Sequence, residues 1–268
     1  MKEVYVVYGI TPDEIRTNDY RRIYGAPNYL EVFSNKEAAV KFFREKVLET
    51  ARSAPLERFF STLADEELLV NTLDLSQAGK YRDRDHTSAF VVYEQGESMS
   101  WIIYKSELDV HLDNPLAARV YLKKVVVSDG TESLKELNII YGVDPKEIAC
   151  GARGMLGNPT FLMAVADRNT AERFFKEKVI DIARTRDLNE RFFSHLTDEK
   201  LFVDTPDIKE EGDGPEFIWF YQSDAQWAWW CYEDELSHDI LDAMPPRVYL
   251  KKRTVWEDEV KRHENDWF

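Results

Sequence analysis

The sequence predicts an α+β protein: a mainly antiparallel sheet with helices on one face, built twice. Three observations predict it. Short alternating runs rich in Val, Ile, Tyr and Trp read as strands, and two stretches carry apolar residues at helical spacing. Four segments also recur in the same order along the chain. Val6-Val7-Tyr8-Gly9-Ile10 returns as Ile139-Ile140-Tyr141-Gly142-Val143, and Phe42-Phe43-Arg44-Glu45-Lys46-Val47 as Phe174-Phe175-Lys176-Glu177-Lys178-Val179. Glu57-Arg58-Phe59-Phe60-Ser61 returns unchanged as Glu190 to Ser194, and Arg119-Val120-Tyr121-Leu122-Lys123-Lys124 unchanged as Arg247 to Lys252. A repeated unit of about 130 residues is large enough to own a core. The predicted organisation is repeat one over 1–128, repeat two over 134–255 and an amphipathic tail over 256–268, with the two repeats packed as a pseudo-dimer within a monomeric chain.

Each repeat reads β-β-α-α-β-β-β. The first strand spans 3–8, with 137–141 as its counterpart; the second is Tyr29 to Phe33, matched by Phe161 to Val165. Ser34 and Glu37 stand at capping-box spacing, so a helix is expected there. Its buried stripe would be Ala39, Phe42, Phe43, Val47 and Ala51, repeated as Ala171, Phe174, Phe175, Val179 and Ala183. A shorter helix carries Leu56, Phe59, Phe60 and Leu63 after Pro55, and its copy opens at Asp187. Leu68 to Leu73 reads as a short edge strand. A hairpin follows, Phe90 to Tyr93 with Met99 to Tyr104, copied as Phe217 to Tyr221 with Trp227 to Tyr232. The last strand is Arg119 to Val127, copied as Arg247 to Val255. In the tail, Trp256, Val260, His263 and Trp267 fall at helical spacing.

Composition narrows the function classes. The chain has 268 residues, 44% of them hydrophobic, which is ample for packed cores. Fifty Asp plus Glu against 35 Lys plus Arg leave a net charge of −15, which repels polyanions and argues against direct nucleic-acid or anionic-membrane binding. No apolar run approaches the ~18 residues of a spanning helix. The N-terminus shows no secretory h-region, and only Cys150 and Cys231 are present, so a cytoplasmic setting is expected.

Motifs for catalysis are scarce. His86, His111, His195, His238 and His263 never adopt a metal-ligand spacing, and none recurs at the matched position of the other repeat. No nucleophile elbow, phosphate loop or dinucleotide fingerprint is present. The expectation is therefore no catalytic residue, no metal and no cofactor. Recurring carboxylates (Glu14 and Glu147, Asp65 and Asp198, Glu66 and Glu199, Glu107 and Glu235) read as caps and turns. The glycine-dense loop around Arg153 and its counterpart with Arg16, Arg21 and Arg22 offer arginine forks to a phosphate or carboxylate. A strand follows that loop where a phosphate site would open a helix, so solvated turn residues are the plainer reading.

The repeats differ in charge and in tryptophan. Residues 1–128 carry a net charge of −3 and residues 129–268 one of −12, and six of the seven tryptophans lie in the second half. The second hairpin is aromatic on both faces and needs cover on both. That cover is either internal or a partner. The second alternative makes Trp219, Asp224, Trp227, Trp230, Tyr232, Glu233 and Asp234 a binding face of aromatic anchors rimmed by carboxylates. The expected function is a non-catalytic acidic module that engages a basic protein, of inhibitor or immunity/anti-defence type, in a bacterium or phage. Two other readings stand beside it: a nucleic-acid mimic that blocks a DNA- or RNA-binding enzyme, and nucleotide or phosphate binding or catalysis in a cleft between the repeats.

Overall fold

A computed structural model describes residues 2–10, 27–53, 57, 60–61, 63–69, 88–95, 97–105, 119–128, 134–144, 158–185, 190, 193–203, 217–232 and 247–257. They form a mixed α+β structure with a mostly antiparallel sheet and few helices. The chain divides into two compact units. The N-terminal unit holds the described residues within 2–18, 28–125 and 254–268; the C-terminal unit holds Pro27 and those within 126–253.

In the N-terminal unit the elements are β1 (Glu3–Ile10), β2 (Tyr29–Phe33), α1 (Lys36–Ala51), the short α2 (Asp65–Leu68), β3 (Ser88–Gln95), β4 (Ser98–Lys105) and β5 (Arg119–Val126). The strand order is β3-β4-β5-β1-β2. Pairing is antiparallel from β3 to β4, β4 to β5 and β1 to β2. Beyond β2, Val255 and Trp256, which also belong to this unit, pair in parallel with Val32 and Phe33. The stripe Ala39, Phe42, Phe43, Val47 and Ala51 is buried against Val7, Phe33, Trp101, Val120 and Leu122, as its spacing requires. At about 1.5–3 kcal/mol per large apolar side chain, this face is what holds the helix on the sheet.

The C-terminal unit comprises β6 (Glu136–Val143), β7 (Phe161–Val165), α3 (Arg168–Ala183), a 3-10 helix (Asp198–Phe202), β8 (Phe217–Gln222), β9 (Gln226–Tyr232) and β10 (Arg247–Trp256). Its order is β8-β9-β10-β6-β7, and Val127 bridges in parallel to Ala164 of β7. Ala171, Phe175, Val179, Ile182 and Ala183 of α3 pack on Ile140, Trp227, Trp229, Val248 and Leu250. Phe174, expected in the stripe, is only partly buried at its edge.

Two devices recur at matching positions. Arg52, just past α1, donates to the carbonyls of Phe60 and Leu63 at 2.5 and 2.7 Å and to Asp65 at 2.8 Å. Arg184, just past α3, donates to Phe193 and Leu196 at 2.7 and 2.6 Å and to Asp198 at 2.8 Å. Each clasp ties the helix end to the segment after it and occupies Asp65 and Asp198 structurally. Gly9 and Gly142 allow a close backbone approach. A Cβ on Gly9 would lie 2.1 Å from the Arg119 carbonyl oxygen, and one on Gly142 1.9 Å from that of Arg247.

Three local expectations change. The α1 cap is Asn35, whose side chain accepts from the Glu37 N–H at 2.8 Å. Ser34 is drawn elsewhere: its N–H donates to the Trp256 carbonyl at 2.9 Å. Leu68, where an edge strand is expected to begin, ends a helix and is buried there, because Asp65, Glu66 and Glu67 favour a helical first turn; residues 70–73 of that expected strand lie outside the described residues. Trp256 closes β10 and donates from Nε1 to Glu31 at 2.9 Å, so it is not the start of a tail helix. Leu56, Phe59, Asp187 and the tail residues Val260, His263 and Trp267 lie outside the described residues.

Candidate functional site

The β8–β9 hairpin concentrates the aromatic side chains. Its turn is closed by Ser223: the Ser223 N–H donates to the Gln226 carbonyl at 2.9 Å, and the Gln226 N–H donates to Ser223 Oγ at 3.2 Å. Ser223 Oγ also donates to that Gln226 carbonyl at 3.1 Å. The register pairs Trp219 with Trp230, Phe220 with Trp229 and Gln222 with Trp227. Side chains alternate across a strand, so this register sorts the aromatics into two sets.

One set faces α3. Trp229 is fully buried, and its Nε1 donates to the Leu201 carbonyl at 2.8 Å. Trp227 is also buried, edge-on to Phe175 and Phe220 at 5.5 and 5.9 Å between centroids. Two cations lie over its ring: the Arg168 guanidinium and the Lys176 ammonium, each 5.5 Å from the centroid. Arg168 is held by Glu172 at 2.8 Å and by Asn138 at 3.3 Å. Arg168, Glu172, Gln222, Ser223, Asp224 and Trp227 line an open cleft of about 460 Å³ at the turn end of the hairpin.

The other set forms a file of rings. Tyr221 and Trp219 lie 5.7 Å apart at 8°, and Trp219 and Trp230 3.8 Å apart at 14°. Trp230 is 6.4 Å from Tyr249, and Tyr249 stacks on Tyr141 at 5.1 Å. Burial grades along this file. Tyr141 and Tyr249 are buried, Trp230 and Trp219 are partly exposed, and Tyr221 is 41% exposed. Burial holds the Tyr141 hydroxyl above its ordinary range, although the nearby Arg253 opposes the shift.

The structure therefore divides the candidate face instead of presenting it whole. Trp219 and Trp230 stand together on the open face. Trp227 is part of the core and reaches only the cleft on the opposite side. Asp224 is exposed at the turn between the two, with no ion-pair partner among the described residues. Tyr232 pairs through its backbone with Phe217, and its side chain lies outside the described part. Glu233, Asp234, Arg16, Arg21, Arg22 and Arg153 also lie outside the described residues. Tyr221 was missed, although strand alternation already put it beside Trp219. Arg168 and Glu172 carried no sequence signal, because they reach the hairpin only through tertiary packing.

Among the described residues no group of three or more His, Cys, Asp or Glu side chains is placed to hold a metal ion. No helix among them is long and apolar enough to cross a membrane. Comparisons with protein-family models, with curated proteins and with solved structures find no match to this chain.

Proposed function

We propose that the chain is a non-catalytic, acidic protein-binding module of inhibitor or immunity type, which engages a basic partner through the open face of the β8–β9 hairpin. The observation that carries this reading is the file Tyr221–Trp219–Trp230, where aromatic side chains remain partly exposed on a hairpin whose turn carries an exposed carboxylate, Asp224. Partly exposed Trp and Tyr are the residue types that anchor interfaces. The net charge of −12 over residues 129–268 would steer a basic protein toward it. In this reading the chain is a duplicated unit, a fused pseudo-dimer, whose second copy has specialised. The matching arginine clasps and close-approach glycines support the duplication.

The test is affinity capture from host lysate at two salt concentrations, followed by direct binding of the captured protein. A basic partner should bind more weakly at high salt, and Trp230→Ala should reduce its affinity about tenfold or more. Asp224→Asn with Glu233→Gln should flatten the salt dependence. Affinity unchanged by all three substitutions would sink the reading. A second reading, small-ligand binding, rests on the cleft at Arg168, Glu172 and Asp224. A thermal shift with nucleotides or sugar phosphates, abolished by Arg168→Met, would favour it.

A further inference from the structure

We propose that the Tyr221–Trp219–Trp230 file is a stacking platform for guanidinium groups, so that the partner presents arginine side chains to it. The inference rests on the protein-binding reading above and names the chemistry that reading leaves open. Three features lead to it. First, the rings are near parallel, at 8° and 14°, and the file ends on Tyr221, which is 41% exposed. A flat ring at the end of a stack accepts one more flat group, and a guanidinium is planar and weakly hydrated where an ammonium is not. Second, the far face of the same hairpin already holds cations over an aromatic ring, with the Arg168 guanidinium and the Lys176 ammonium each 5.5 Å from the Trp227 centroid, so the preference for arginine rests on the flatness of the platform. Third, Tyr221 is followed within three residues by Asp224, an exposed carboxylate at the hairpin turn. Asp224 also lines the cleft on the far side, so its charge acts on the hairpin as a whole: together with the net charge of −12 over residues 129–268 it favours a cation at this hairpin and disfavours a phosphate or a nucleotide.

The experiment uses the full chain, with the side-chain signals of Trp219, Trp230 and Tyr221 followed by NMR. The probes are a capped five-residue peptide alternating arginine and glycine, its lysine counterpart, its citrulline counterpart and adenosine monophosphate. The arginine peptide should shift all three residues, the lysine peptide more weakly, and citrulline and the nucleotide not at all. Tyr221→Ala should weaken the arginine peptide about tenfold, whereas Tyr221→Phe keeps most of the binding. Asp224→Asn should weaken it less and reduce its salt dependence. Equal shifts by citrulline, preference for the nucleotide, or binding unchanged by Tyr221→Ala would each overturn the platform. Salt-sensitive arginine binding that ignores Tyr221 would overturn the platform and leave the acidic-module reading intact. Silence of every probe overturns the platform too, and the lysate capture then decides the module reading separately. Tyr221 is a surface position, so an unchanged spectrum elsewhere confirms that each variant is folded.

Discussion

The two units use the same framework and dress it differently. Arg52 and Arg184 make the same clasp with Asp65 and Asp198. Tyr8 stacks on Tyr121 as Tyr141 stacks on Tyr249, at 5.2 and 5.1 Å. Lys124 pairs with Glu3 as Lys252 pairs with Glu136. Polar decoration is where they part. The N-terminal unit has Tyr29 and buried Thr50 where the C-terminal unit has Phe161 and Ile182. Lys46 pairs with Glu49 one helical turn away, while Lys178 reaches the buried Asp144 at 2.7 Å. Features shared by both units answer to the fold; features present in one are where a distinct task can reside. The pair Trp219 and Trp230, which stands where the first half of the sequence has Val91 and Ile102, belongs to the second class.

The sharpest way to break this comparison is at the close-approach glycines. Gly9→Ala and Gly142→Ala should each cost about 4 kcal/mol or more, because the new methyl meets a backbone carbonyl that has no room to yield. Hydrogen exchange should show the loss concentrated in the unit that carries the substitution. A mild effect at one glycine and a severe one at the other would end the equivalence of the two frameworks.

Removing the clasps comes next. Arg52→Met and Arg184→Met should each destabilise by about 1–3 kcal/mol in denaturant unfolding, and by similar amounts, since each strips two carbonyls of a charged donor. The matched tryptophans should then separate the units. Trp229 donates to Leu201, whereas the buried Trp101 Nε1 has no hydrogen-bond partner among the described residues. Trp229→Phe should therefore cost about 1 kcal/mol more than Trp101→Phe. Equal costs would mean that the Leu201 bond contributes nothing to stability.

The smallest difference lies in the helix caps. Asp167 caps α3 by accepting from the Thr170 N–H at 2.7 Å, and hydrogen bonding from the Thr170 side chain, with that N–H second, holds its carboxyl below the ordinary 3.8. Asn35 caps α1 and does not titrate. A lowered carboxyl gives stability that is present above its unfolded-state value and lost as pH falls through the folded one. Acid below about pH 4 should thus loosen the first turn of α3 before that of α1, as read by amide exchange. Asp167→Asn should remove the difference. The opposite sign holds in alkali. Burial raises the hydroxyls of Tyr8, Tyr29 and Tyr121 above 10.0, so the stability they contribute is lost as pH rises through their folded values.

Alternation and helical spacing were enough to find the strands and both long helices. Tyr29–Phe33 and Phe161–Val165 coincide with the expectation, β5 ends one residue short of it, and the other strands extend it by one or two residues at one or both ends. The α1 cap was misplaced because Ser34 and Asn35 are both capping residues. What separates them is a bond from Ser34 to Trp256, 222 positions away, which no local pattern records. The hairpin tells the same story. Alternation separates Trp219 from Trp227, but it does not say which set the helix covers. The cleft needed Arg168 and Glu172 of α3 to meet the turn of β8–β9, a non-local contact again.

The end of β10 carries a consequence for synthesis. Val255 and Trp256 pair with Val32 and Phe33, Trp256 bonds Glu31, and the Trp256 carbonyl accepts from Ser34. The outer edge of β2 thus waits for residue 256 before it is covered, 222 positions after Ser34 has been made. Until then that edge offers unpaired backbone groups to any passing strand, including one from a neighbouring nascent chain. On the ribosome the chain should depend on protection until residue 256 has emerged. Truncation just before Thr254 should yield a protein that aggregates, even though most of its sequence is intact.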